Sequence, residues 1–185
     1  MLILIIIAII VVLALIYFGL YNGLVKKRNR VDETWAQIDV QLKRRYDLIP
    51  NLVETVKGYA SHEKETLTKV IEARNEMGNA QSGDSRQEQL DADNKLSGAL
   101  RSIFALGEAY PDLKANQSFI ELQHELSSTE NKVAYSRQLY NTTVMDYNNS
   151  VQSVPSNIVA KMHNFSVREM LSIPTEERET PKVQF

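Results

Sequence analysis

The residues that could do chemistry are few and poorly matched to one another. His62, Glu63 and Glu65 suggest a metal site, because imidazole and carboxylate groups can share one cation. The zinc-helix pattern H-E-x-x-H fails, since Thr66 stands four residues past His62. His124 and His163 have no second ligand at helical spacing and read as solvated histidines. Asp32, Glu33 and Asp39 are three carboxylates within two helical turns. On facing helices such groups can hold paired metals, but those sites use Glu-x-x-His repeats, which are missing. With Lys43, Arg44 and Arg45 nearby, they read as a charged helix face. No nucleophile elbow, P-loop or dinucleotide fingerprint occurs. Asn116, Asn141, Asn148 and Asn164 open glycosylation sequons, which carry no weight in a cytoplasmic bundle. The expectation is no catalytic residue, no metal and no cofactor.

The 185 residues carry a net charge of −2 and no cysteine. Disulfides and thiolate metal sites are excluded, and the charge argues against nucleic acid as a partner. Leu, Ala, Glu, Lys, Gln and Arg dominate, a helix-forming balance.

What would position any function is the first stretch. Residues 2–20 hold neither a charge nor a proline, with Leu2, Ile5, Ile9, Leu13, Ile16 and Leu20 spaced along it. At about 1.5 Å per residue this run covers a bilayer core of roughly 30 Å. No basic residue precedes it and no small-x-small site follows, so it reads as an anchor and not a cleaved signal. Tyr17, Phe18 and Tyr21 cluster at its exit, as interfacial aromatics do. Lys26, Lys27, Arg28 and Arg30 follow at once, and the positive-inside rule then places the rest of the chain in the cytoplasm with the N-terminus outside. The basic cluster is also a candidate for lipid headgroups. Gly19 and Gly23 have the spacing that lets two membrane helices approach closely, or else mark a flexible exit from the bilayer.

Beyond the anchor, apolar periodicity predicts helices. Leu24, Val31, Trp35, Ile38, Leu42 and Ile49 form one face whose unfilled heptad positions are Arg28 and Arg45. Asp47-Leu48-Ile49-Pro50 reads as a tight reversal, because proline disfavours helix in the residue before it. A second helix is expected over 50–77, a polar loop over 78–84, and a third helix opened by the capping box Ser85/Glu88 and closed at Tyr110-Pro111-Asp112. A fourth, over 118–152, carries a seam from Phe119 to Val151 with coiled-coil spacing and polar layers at Thr129, Ser136 and Thr143. After Pro155, the face Ile158, Val159, Met162 and Phe165 either lies in the membrane surface or packs back on the bundle end. From Ser166 weak order is expected, with Pro174 and Pro181 in the tail.

The wording of these helices resembles the LemA family. The resemblance rests on residues 31–45, Asp47-Leu48-Ile49-Pro50-Asn51-Leu52-Val53, Val56-Lys57-Gly58-Tyr59 and His62-Glu63. It extends through residues 110–116, Thr129-Glu130-Asn131, Tyr140-Asn141, Tyr147-Asn148 and the closing residues 181–185. It implies a bacterial membrane protein with one N-terminal span and an antiparallel helical bundle, and it assigns no catalytic residues. Relatives associated with magnetosome membranes point to membrane organisation.

The expected architecture is therefore all-α: a transmembrane anchor over 1–23, an elongated antiparallel four-helix bundle over 24–154, and a short amphipathic segment with a weakly ordered tail over 155–185. The expected role is a non-enzymatic scaffold in the bacterial inner membrane that self-associates and organises membrane lipid or partner proteins. The alternative is an accessory, signalling or quality-control subunit. It would bind one membrane partner through a distal tip of Asp47, Leu48, Pro50, Tyr110, Pro111 and Asp112.

Overall fold

The apolar run and the first amphipathic face belong to one helix. In the computed structural model, which describes residues 1–172, α1 extends from Leu2 to Tyr59, 58 residues without interruption. It is followed by α2 (Lys64–Gln81), α3 (Arg86–Ala109), the single turn α4 (Pro111–Lys114), α5 (Gln117–Gln152) and α6 (Ser156–Met162). The regular structure among the described residues is wholly helical. Among the described residues one helix, α1, is long and apolar enough to cross a membrane.

The expected reversal at Asp47–Pro50 is not there. Pro50 sits inside α1. A proline in a helix deprives the carbonyl four residues earlier of its N–H partner. Here that carbonyl belongs to Tyr46, and Arg74 of α2 supplies the missing donor, its Nε 3.3 Å away. The same guanidinium lies 3.9 Å from the Tyr46 ring centroid, a cation–π contact. A Cβ on Gly78, one turn further along α2, would come within 3.1 Å of that ring, so glycine permits the close packing. A local rule about proline is thus overridden by a side chain from the next helix.

The chain turns instead at residues 60–63. The Ala60 N–H still bonds to Val56 O at 2.8 Å, and Glu63 N–H bonds to Ala60 O at 3.1 Å. Other boundaries fall where capping chemistry puts them. Ser85 accepts from the backbone N–H of Glu88 and opens α3. Pro111 occupies the first turn of α4. Asn116 Oδ1 accepts from Phe119 N at 2.9 Å at the start of α5.

Contacts divide the molecule into two units, with α1 and α5 contributing to both. The first comprises residues 1–37 and 136–170. Its interior holds Leu24, Val31, Thr34, Tyr140, Val144 and Tyr147, all buried. Thr34 and Thr143 hydroxyls lie 3.2 Å apart, and Trp35 meets Tyr140 edge to face at 5.9 Å. Trp35 is therefore a packing residue.

The second unit comprises residues 38–135 with 171–172. Leu42, Ile49 and Val56 of α1, Val70 and Met77 of α2, and Leu96 and Ile103 of α3 are buried in it. Lys95 pairs with Glu76 at 2.7 Å and Tyr110 donates to Glu63 at 3.0 Å, tying α3 to α2 at two levels. The α5 seam follows its expected positions through Phe119, Leu126, Thr129 and Val133. Further on, Tyr140 and Tyr147 stay buried at their expected positions, while in the alternate layers Arg137 joins Ser136 and Val144 replaces Thr143 among the buried groups. A straight helix of 3.6 residues per turn slips against a strict 3.5 repeat in this direction.

Residues 166–172, where weak order was expected, make specific hydrogen bonds. Asn148 accepts from Arg168 N and donates to Arg168 O, both at 2.8 Å. Ser172 N donates to Gln87 at 3.0 Å, and Leu171 is buried. Pro174, Pro181 and the closing motif of residues 181–185 lie outside the described residues.

Candidate membrane-proximal site

The site is assembled at the end of the apolar run by the segment after α5. Ser156 Oγ bonds back to Ser150 O at 2.6 Å and Ser153 O at 2.9 Å, which closes the turn between α5 and α6. Helix α6 ends in a Schellman turn. Phe165 N bonds to Ala160 O at 2.9 Å and Asn164 N to Lys161 O at 3.4 Å, with Asn164 left-handed at φ 54°. Asparagine tolerates that conformation better than most residues. The turn throws Phe165 back beneath the helix, where it is buried with Val159 and Ala160.

Five aromatic or cationic side chains converge there, Tyr17, Tyr21 and Arg28 from α1 with His163 and Phe165. The Tyr17 hydroxyl shares a hydrogen bond with His163 Nε2. The Tyr21 ring stands 4.7 Å from the His163 ring and 5.9 Å from that of Phe165. Arg28 places its guanidinium 5.1 Å from the Phe165 centroid. Further along, Lys27 Nζ donates to Ser150 Oγ at 2.6 Å. The Tyr147 hydroxyl donates to Ser166 O at 3.0 Å. Burial pushes the Tyr147 phenol up from its ordinary pKa, against the opposing pull of the Arg168 and Arg28 charges. The arrangement is a collar of aromatic and basic groups, suited to binding and devoid of an activated nucleophile.

The four residues expected to form one face after Pro155 separate. Val159 and Phe165 pack inward, while Ile158 and Met162 are 58% and 65% exposed. Leu2, Ile5, Ile9, Leu13 and Ile16 are exposed and Leu20 is half-buried. Gly19 and Gly23 have no atom within 4 Å of where a Cβ would stand. Of the basic cluster, Lys26 and Arg30 are exposed, with Arg30 paired to Glu33 at 2.9 Å. His163 is where sequence reasoning fell short. The one local signal for its role was Asn164, an asparagine just past a helix end, where a left-handed turn reverses the chain.

The expected tip divides. Tyr110 caps one end of the second unit, with exposed Pro111 and Asp112 beside it. Its hydroxyl donates to Glu63 at 3.0 Å, and separately Asn116 Nδ2 donates to the Tyr59 hydroxyl at 3.0 Å. Hydrogen bonding to the Glu63 carboxylate raises the Tyr110 pKa. Asp47, Leu48 and Pro50 belong elsewhere, because α1 carries them through without a turn. Asp47 pairs with Lys43 at 3.2 Å, and Leu48 lines a shallow groove with Asn51, Thr55, Leu122 and Glu125.

The groups first considered for a metal are engaged otherwise. Glu63 accepts from Tyr110, and Glu65 bonds Lys69 at 2.7 Å, which lowers its pKa. Among the described residues no three His, Asp or Glu side chains cluster as a cation would need. The heptad gap at Arg45 is filled by an ion pair. Its guanidinium is fully buried, bonding Asp93 at 2.5 Å and Ser97 at 2.9 Å, with Glu130 at 3.8 Å.

Protein LemA of Metamycoplasma hominis is 25% identical over 173 residues, covering 91% of this chain and 78% of its own length. Magnetosome protein MamQ 2 of Paramagnetospirillum magneticum is 25% identical, and MamQ of Magnetospirillum gryphiswaldense is 23% identical. These two matches cover 80% and 78% of this chain but 63% and 62% of the magnetosome proteins, so the chain spans less than two thirds of their length. The LemA family profile matches residues 34–185, from Thr34 in the first unit onward, and the chain belongs to the LemA family.

Proposed function

We propose that this protein is a membrane-anchored, non-enzymatic helical scaffold of the bacterial inner membrane, with its N-terminus outside and the remainder in the cytoplasm. The carrying observation is the start of α1. Its most apolar stretch carries no charge, and none of it is buried within the chain. An unburied run of that length finds its solvent in lipid. Lys26, Lys27, Arg28 and Arg30 stand on one side of it only, which favours the cytoplasmic orientation. The pairings of α2 with α3, and of α5 with α1 inside each unit, are those an antiparallel four-helix bundle requires.

Self-association is the second half of the reading. The open faces of Gly19 and Gly23 leave room for a second span to approach. Exposed Val40, Tyr135 and Met145 offer apolar contacts outside the span. The magnetosome naming of two relatives favours a role in organising membranes or the proteins in them. Crosslinking in membranes at native expression, followed by sizing, tests this. Oligomers that weaken in Gly19→Ile with Gly23→Ile are expected. Monomers alone, with no partner retained, would sink the scaffold reading.

A specific observation also favours an accessory subunit with one membrane partner. Two hydrogen bonds, Tyr110 to Glu63 and Asn116 to Tyr59, tie the ends of helices together beside exposed Pro111 and Asp112. Asp112→Lys should then abolish capture of that partner and leave self-association intact.

A further inference from the structure

Helix α6 and its hook reach back to the level of the span. Along α1, contacts with the following segment form a ladder. Ser150 meets Lys27, Phe165 meets Arg28 and Tyr21, and His163 meets Tyr21 and Tyr17. After the hook the chain moves away again, since Ser166 and Arg168 bond to Tyr147 and Asn148. The elbow at Met162–His163 is therefore the highest point, level with the last turn of the apolar run.

Two properties of that elbow point the same way. Its outer side carries Ile158 and Met162, 58% and 65% exposed and one helical turn apart, with Lys161 beside them. The segments that meet there are also free of acid. Residues 1–31 and 147–168 contain no Asp or Glu, yet they hold Lys26, Lys27, Arg28, Lys161 and Arg168, besides Arg30, which pairs with Glu33 just beyond. Interspersed charge of both signs is ordinary for a soluble surface, and an uncompensated basic rim around exposed apolar groups suits an anionic membrane surface.

We propose that α6 is a second, monotopic membrane contact. Ile158 and Met162 enter the headgroup–acyl boundary of the cytoplasmic leaflet, and the basic rim binds anionic phospholipid. This deepens the anchored-scaffold reading and rests on it. Val159, Ala160 and Phe165 fasten the helix to α1, so the same short element holds the protein with one face and lipid with the other. Val167 and Met170 are just as apolar and about half exposed, but they lie past the turn away from the span. They stay in water.

The native chain lacks cysteine, so single-cysteine spin labels report one place at a time. The full-length protein is placed in bilayers of phosphatidylcholine with phosphatidylglycerol and labelled in turn at Leu13→Cys, Ile158→Cys, Met162→Cys and Met170→Cys. Labels at 13, 158 and 162 should relax faster with oxygen than with an aqueous nickel complex, and the label at 170 should show the reverse. Aqueous behaviour at both 158 and 162, with 13 in lipid, would overturn the α6 contact and leave the span intact. Aqueous behaviour at 13 as well would overturn the anchor itself. In pure phosphatidylcholine the labels at 158 and 162 should shift toward water, and an unchanged depth would overturn the anionic part of the proposal.

Discussion

The two units are built from the same two long helices, yet they treat charge in opposite ways. In the second, cations are matched across and along helices. Arg44 meets Glu125 at 2.8 Å, Lys95 meets Glu76 at 2.7 Å and Lys114 meets Glu108 at 2.7 Å. Even its interior cation is answered, Arg45 by Asp93. In the first, Arg30 pairs with Glu33, but Arg28 and Lys27, nearer the apolar run, lie against an aromatic ring and a carbonyl instead. Exposed pairs contribute about 0–1 kcal/mol each, so matching them serves solubility more than stability. Unmatched charge looks outward for a partner.

The comparison breaks most visibly at the buried pair. Asp93→Ala leaves Arg45 charged and enclosed, and should lower stability by about 3–5 kcal/mol. Arg45→Met with Asp93→Leu removes both charges and should recover most of that loss in a thermal melt followed by circular dichroism. Full sensitivity in the double variant would mean the pair does more than satisfy itself. Next is Phe165→Ala in the first unit, at about 3 kcal/mol from a largely buried ring. It should also release His163, seen as faster exchange of the amide protons of residues 160–166. Arg74→Ala should cost about 2 kcal/mol, because the Tyr46 carbonyl loses its donor and its ring a cation. Adding Pro50→Ala restores a backbone donor and should return part of the loss. Ser85→Ala should cost about 1 kcal/mol by uncapping α3.

The smallest effect is one of pH. The Tyr110 pKa is raised in the folded state by its bond to Glu63. Its contribution is full below the unfolded value of about 10 and is lost as pH rises through the folded value. Above about pH 10 the melting midpoint of the native chain should fall more steeply than that of Tyr110→Phe. Parallel slopes would show that the bond at the tip adds nothing.

Much of the fold was legible because its signals are local. A residue run free of charge announces the span, Ser85 announces α3, and Pro111 and Pro155 fall where helices stop. Pro50 misled for the same reason that the others informed. Its effect on the backbone is local, but the remedy, Arg74, lies on another helix. The turn at residues 60–63 had only Gly58 to mark it, and Gly58 stays helical. At the membrane-proximal site the periodicity found Val159 and Phe165 as well as Ile158 and Met162. It could not divide them, because Ile158, Val159 and Met162 share the short helix α6, where tertiary packing alone decides which side is covered, and the Schellman turn at Asn164 takes only Phe165 out of the helical register. His163 and Tyr17 stand 146 positions apart, beyond any spacing rule.

The open carbonyl at Tyr46 also has a consequence in time. Synthesis runs from the N-terminus, so the apolar stretch is ready for insertion while Arg74 has yet to be made. During that interval α1 has a gap in its ladder of backbone bonds at Pro50, and the gap closes only when α2 emerges and docks. The completed helix is thus a late product, dated by the arrival of a residue that is not part of it.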